Sequence, residues 1–76
     1  MPTFKVTFRY QHDENTTETV DVLADAPSED DLAARVDKRI ATAITTESNV
    51  LELWDVTGSS WIIPADSILD TKVTAM

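Results

Sequence analysis

A chain of 76 residues is predicted to form one compact domain over residues 1–76, close to the lower size limit for folding without disulfides or metals. Fourteen acidic residues against six basic ones give a net charge of −8, which repels phosphate backbones, so direct nucleic-acid binding is not expected. The sequence contains no cysteine, no long apolar run and no basic leader before an apolar stretch. Neither a signal peptide nor membrane association is therefore expected, and a cytoplasmic location is predicted.

The first two elements are predicted to form a β-hairpin. Residues 3–10 alternate strictly between apolar and polar side chains, residues 12–15 are polar and prone to turn, and residues 16–23 are rich in β-branched residues. The side chains expected to face a helix are Phe4, Val6, Phe8, Val20 and Val22. The side chains expected on the outside are Thr3, Lys5, Thr7, Arg9 and Asp21.

A helix is predicted to follow, with Ser28 as its N-cap and Asp31 completing a capping box. One apolar stripe results from the spacing of Leu32, Val36, Ile40 and Ile44. Asp31 and Arg35 are spaced for a weak helix-surface ion pair. The basic residues Arg35, Lys38 and Arg39 are interpreted as part of a solvated helix face.

Three further strands are predicted, at residues 50–56, 61–64 and 68–74, with Pro64 at a strand end or a sheet edge. The order ββαββ(β) favours a two-layer α+β domain, in which one helix packs on a mainly antiparallel sheet of four or five strands. A β-grasp arrangement like that of ubiquitin has a similar order, but it pairs the first strand with the last in parallel.

The third and fourth strands hold both tryptophans and the only glycine of the chain, Gly58. If a two- or four-residue loop joins them, Trp54 lies opposite Ile63 and Val56 opposite Trp61. An apolar cluster on the sheet face away from the helix would then consist of Val50, Trp54, Val56, Trp61 and Ile63, with Leu51, Leu53 and Ile62 completing the core. A three-residue loop or a bulge would instead shift the register, so that Trp54 or Trp61 closes an end of the core.

No residue pattern for catalysis is present in the sequence. His12 is the only histidine, and one glycine is too few for a phosphate-binding loop, so no enzyme activity, metal site or cofactor is expected. An exposed aromatic cluster marks an interface, which predicts a module that binds a protein partner or forms a homodimer. The alternative is an acidic inhibitor that imitates nucleic acid through Asp13, Glu14, Glu29, Asp30 and Asp31.

The C-terminal part of the sequence resembles a family of very small actinobacterial or phage-borne single-domain proteins of unknown function. Members share a hairpin with a D-x-x-G turn, an apolar-Pro-Ala stretch and a final short strand, and the matching positions here are Asp55, Gly58, Ile63, Pro64, Ala65 and Ile68. The resemblance implies this fold without implying an activity. The chain departs from the family in its long HDENTTE hairpin tip and in its pair of tryptophans.

Overall fold

The computed structural model describes residues 2–47 and 49–76, and these form one helix and five strands. In chain order the elements are strand β1 (Thr3–Gln11), strand β2 (Thr17–Asp25), helix α1 (Glu29–Thr45), strand β3 (Val50–Trp54), strand β4 (Ser60–Pro64), a 3₁₀ turn (Ala65–Ser67) and strand β5 (Ile68–Ala75). The predicted α+β class and element order are confirmed, including the fifth strand. Strand β3 is two residues shorter than predicted because Asp55 begins a turn.

The strands divide between two antiparallel sheets, where the sequence predicts one. In the three-stranded sheet, β1 lies between β2 and β5, while β3 and β4 form a separate two-stranded hairpin. Strand β5 runs antiparallel to β1, with Val6 opposite Val73, so the parallel pairing of a β-grasp fold does not occur. Apolar alternation indicates which face of a strand is buried, but it does not indicate which strand pairs with it. The sequence therefore does not predict that β3 and β4 form a separate sheet.

The outer face of the three-stranded sheet is mainly polar, as predicted, with the partly buried Leu23 of β2 opposite Lys5 as an apolar member. The Thr3 hydroxyl donates to the Asp25 carboxylate and the Thr7 hydroxyl to the Asp21 carboxylate, each over 2.7 Å. Arg9 on the same face forms an ion pair with Asp70 of β5. The polar groups of this face therefore bond with one another across neighbouring strands.

Helix α1 begins as predicted, because the Ser28 hydroxyl oxygen accepts the Asp31 backbone N–H at 3.2 Å. Its apolar stripe is shorter than predicted: Leu32 is buried, whereas Ile44 is exposed and Ala43 is buried near the helix end. The predicted ion pair between Asp31 and Arg35 is not found among the described residues. The Arg35 guanidinium lies instead 3.5 Å from the backbone oxygen of Asp25.

The core lies between the inner face of the three-stranded sheet, helix α1 and the inner face of the hairpin. Its buried members are Phe4, Val6, Phe8, Val22, Ala26, Leu32, Ala43, Leu51, Leu53, Ile63 and Ala65. Val20 packs against this cluster and is partly buried. Ile62 does not enter the core, so its predicted placement is wrong and Ile63 is buried in its stead.

Candidate functional site

The register of the β3–β4 hairpin is set by the turn that joins the two strands. The Gly58 N–H donates to the Asp55 oxygen, and the Asp55 N–H donates to the Ser59 oxygen, both over 2.9 Å. These bonds close a three-residue loop, and Gly58 adopts the left-handed φ of 94° that ends such loops. The three-residue alternative considered from the sequence is therefore the one that occurs.

This loop changes the faces predicted for the tryptophans. Trp61 lies opposite Leu53 instead of Val56, and Ile63 lies opposite Leu51 instead of Trp54. Because the shift is an odd number of residues, both Trp61 and Ile63 move to the inner face. Trp61 packs against the core and Ile63 is buried, so their predicted placement on the open face is wrong.

The outer face of the hairpin carries a smaller apolar cluster, which we name the Trp54 patch and define as Val50, Trp54 and Ile62. Trp54 is 60% exposed and Ile62 68% exposed, and they lie diagonally across the two strands, since Trp54 faces Ser60 and Ile62 faces Glu52. Diagonal neighbours at this spacing are within reach of an aromatic side chain. Val50 and Val56 keep the exposure predicted for them, and Val56 lies in the turn beside the patch.

Asp55 joins the hairpin to the three-stranded sheet. Its carboxylate accepts the Leu23 N–H of β2 at 2.8 Å and the Thr57 N–H at 2.7 Å, while the Val56 N–H donates to the Leu23 oxygen at 3.1 Å. These N–H donors hold the pKa of Asp55 below its ordinary value, because they favour the ionised carboxylate. The sequence shows Asp55 as a turn residue, and no sequence signal indicates the contact with β2.

A shallow groove separates helix α1 from strand β3 next to the Trp54 patch. The Arg39 guanidinium carbon lies 5.8 Å from the centre of the Trp54 ring, a cation–π distance, and an Arg39 nitrogen donates to the Glu52 backbone oxygen at 2.8 Å. The groove has a volume of about 420 Å³, and Lys38 and Thr42 lie on its helix side. The helix cations thus border the apolar patch.

A second hollow lies deeper, between all three layers of the fold. It has a volume of about 110 Å³, and core side chains such as Phe8, Val22 and Leu53 line it. The exposed residues Arg35 and Arg39 line the same cavity. The lining of this cavity is therefore mainly apolar, with Arg35 and Arg39 as its basic residues.

The predicted acidic surface is divided between the two ends of β1. Asp13 and Glu14 lie at the β1–β2 hairpin tip, after the end of β1 at Gln11. Glu29, Asp30 and Asp31 lie near the start of β1 instead, because they follow Ala26, whose N–H donates to the oxygen of Pro2. Strand β1 has nine residues, which corresponds to about 30 Å at the usual rise of a strand. The structure therefore does not bring these five carboxylates into one array.

The remaining expectations concern metal and membrane sites. His12 is exposed at the hairpin tip, where its backbone N–H donates to the Thr16 oxygen at 2.8 Å. Across residues 2–47 and 49–76, no group of three or more His, Cys, Asp or Glu side chains is arranged so that it could hold a metal ion. In the same ranges, no helix is long and apolar enough to cross a membrane.

Comparisons with known proteins give no relative for this chain. A scan against protein-family models found no match, and neither did searches of curated proteins and of solved structures. Any assignment of function therefore depends on the chemistry of the described surface.

Proposed function

We propose that this protein is a non-enzymatic protein-binding module, which docks on a larger protein or on a second copy of itself through the Trp54 patch. The observation that carries the proposal is the pairing of an exposed tryptophan with an exposed isoleucine on one hairpin face, at 60% and 68% exposure. Trp is enriched among the residues that dominate binding energy at protein interfaces. Adjacent large apolar side chains in water favour a surface that is covered in the functional state.

The other outer face of the fold supports this interpretation by contrast. On the three-stranded sheet, the threonine and carboxylate side chains bond with each other, and no large apolar residue of β1 faces outward. The outer face of the three-stranded sheet thus presents mainly polar side chains to the solvent. The hairpin face departs from that pattern at Trp54 and Ile62.

The proposal is tested by substituting patch residues and measuring assembly. Light scattering coupled to size exclusion is run on wild type, Trp54→Ser and Ile62→Ser, and each is also used as bait for partners from the source cell. We expect the dimer or the captured partner to be lost in both variants. Leu69→Ser is the matched control, since Leu69 is 50% exposed but lies on β5 outside the patch.

Two outcomes would contradict the proposal. One is a wild-type protein that is monomeric and retains no partner. The other is assembly that survives in Trp54→Ser and Ile62→Ser as well as it does in Leu69→Ser.

The alternative, an acidic nucleic-acid mimic, requires one continuous carboxylate surface, and the two acidic groups at opposite ends of β1 do not supply it. Its signature is steep weakening of partner binding as ionic strength rises, whereas apolar docking responds little to salt. The cytoplasmic location and the actinobacterial or phage origin stay predictions.

A further inference from the structure

Helix α1 carries three basic side chains that form no ion pair with a carboxylate of residues 2–47 and 49–76. The three are Arg35, Lys38 and Arg39. They are half of the six basic residues of the chain, which has fourteen acidic residues. Among residues 2–47 and 49–76 the ion pair observed is Arg9 with Asp70, on the other side of the fold. Arg39 instead bonds a backbone oxygen and covers Trp54, and Arg35 contacts a backbone oxygen over 3.5 Å.

These cations border two adjoining hollows. The cavity of about 110 Å³ has Arg35 and Arg39 in its lining, and the groove of about 420 Å³ has Lys38 and Arg39. Arg39, Leu51 and Trp54 line both, so the cavity and the groove adjoin each other beside the Trp54 patch, and the two together are named the depression. Glu52 is the one carboxylate-bearing residue among those that line it.

We propose that this depression binds a short acidic segment of the partner protein, with one apolar side chain in the cavity and flanking carboxylates on Arg35 and Lys38. The inference rests on the proposed function and names the chemistry of the partner. Guanidinium groups suit carboxylates because their planar N–H donors match the two oxygens. The cavity of about 110 Å³ is smaller than the cavity of about 150 Å³ that holds benzene, so a branched aliphatic side chain such as leucine suits it.

The net charge of −8 opposes an acidic ligand, so the attraction has to come from the cations that line the depression. At physiological ionic strength charges are screened over about 8 Å, so groups close to the ligand have the largest effect. Arg35, Lys38 and Arg39 line the depression, against the single carboxylate of Glu52. A nucleic acid is disfavoured as occupant, because it presents many phosphates to a chain with fourteen carboxylates.

The test uses three capped pentapeptides with a central leucine. Glutamates flank the leucine in the first peptide, glutamines in the second and lysines in the third. Binding to the full chain is followed by NMR, using the indole N–H signals of Trp54 and Trp61. We expect the glutamate peptide to bind most tightly and to shift Trp54 more than Trp61. Arg35→Gln and Lys38→Gln are each expected to weaken it about 1.4- to fivefold, which is the range for exposed ion pairs.

Lys72→Gln is the matched control, because it removes the same charge from β5, where Lys72 lies opposite Thr7 of the outward-facing row. The inference is overturned if the glutamine peptide binds as well as the glutamate peptide, or if Lys72→Gln weakens binding as much as Lys38→Gln. Binding of a single-stranded oligonucleotide at the Trp54 signal in place of the peptide would overturn it equally.

The two proposals fail separately. Ile62 belongs to the Trp54 patch but does not line the depression, and Lys38 lines the groove but does not belong to the patch. Assembly that is lost in Ile62→Ser, together with no peptide discrimination, rejects the acidic segment and keeps the interface. Assembly that is unaffected by both Trp54→Ser and Ile62→Ser rejects the interface itself.

Discussion

Ile62 and Ile63 are adjacent, chemically identical and oppositely placed, so they test the hairpin register directly. Ile63 is 2% exposed and Ile62 is 68% exposed. Replacing a buried isoleucine by alanine costs about 2–5 kcal/mol, from lost burial and the cavity that remains, whereas a surface change away from special features stays within about 0.5 kcal/mol. Both positions lie in β4, so the lower strand propensity of alanine enters both variants and largely cancels in their difference.

Urea unfolding followed by far-ultraviolet circular dichroism measures the two costs. A domain of 76 residues is expected to have a free energy of unfolding of about 4–11 kcal/mol, so Ile63→Ala removes a large share of it and can leave the chain unfolded. Ile63→Val provides a milder second measurement, at about 0.5–1.5 kcal/mol, with Ile62→Val as its control. A larger loss for the Ile62 variants would refute the register, because it is the result that a two- or four-residue loop requires.

Three further substitutions test the turn, the contact between sheets and the helix start. Gly58→Ala is expected to cost about 1–2 kcal/mol through backbone strain alone, since a Cβ there meets no atom within 4 Å. Gly58→Asn is expected to cost less, and equal urea midpoints for wild type and Gly58→Ala would contradict the strain. Asp55→Asn is expected to be less stable than wild type at neutral pH, because hydrogen bonding to Leu23 holds the Asp55 pKa below 3.8. The stabilisation by the ionised Asp55 is full above pH 3.8 and is lost as the pH falls through the lower pKa of the folded state. The urea midpoints of wild type and Asp55→Asn are therefore expected to converge in acid. A difference between these midpoints that does not depend on pH would contradict the role of the carboxylate. Ser28→Ala removes the N-cap bond and is expected to cost about 1 kcal/mol, lowering Tm by about 4–8 °C, whereas an unchanged Tm in calorimetry would show that the cap does not contribute.

The sequence predicts the elements of this fold better than their arrangement. Alternation and helix capping depend on residues within about four positions, so the sequence alone contains the information that they need. The predictions of β1 and of the start of α1 at Ser28 are confirmed. The hairpin register depends on whether Gly58 closes a three-residue loop, a difference of one residue that reverses the faces of Trp61 and Ile63. The bond between Asp55 and Leu23 spans 32 positions and leaves no local pattern.

The candidate site was predicted in part, for the same physical reason. Trp54, Val50 and Val56 are exposed as expected, since their side of β3 and the turn does not depend on the partner strand. The sequence places Ile62 in the core instead, because the face of β4 follows from the hairpin register. The sequence indicates only a solvated face for the cations of α1, because helix periodicity does not show that β3 lies beside them and forms a groove.

The placement of the Trp54 patch ties the proposed binding to the stability of the hairpin that carries the patch. Strands β3 and β4 pair only with each other among the described strands, and they join the rest through buried Leu51, Leu53 and Ile63 and through the Asp55 contact with β2. A two-stranded hairpin is marginal in water without such packing. A partner that covers the outer face binds the folded state alone and therefore stabilises it by mass action. Backbone amides of β3 and β4 should consequently gain more protection from hydrogen exchange on binding than those of β1, which is already paired on both edges.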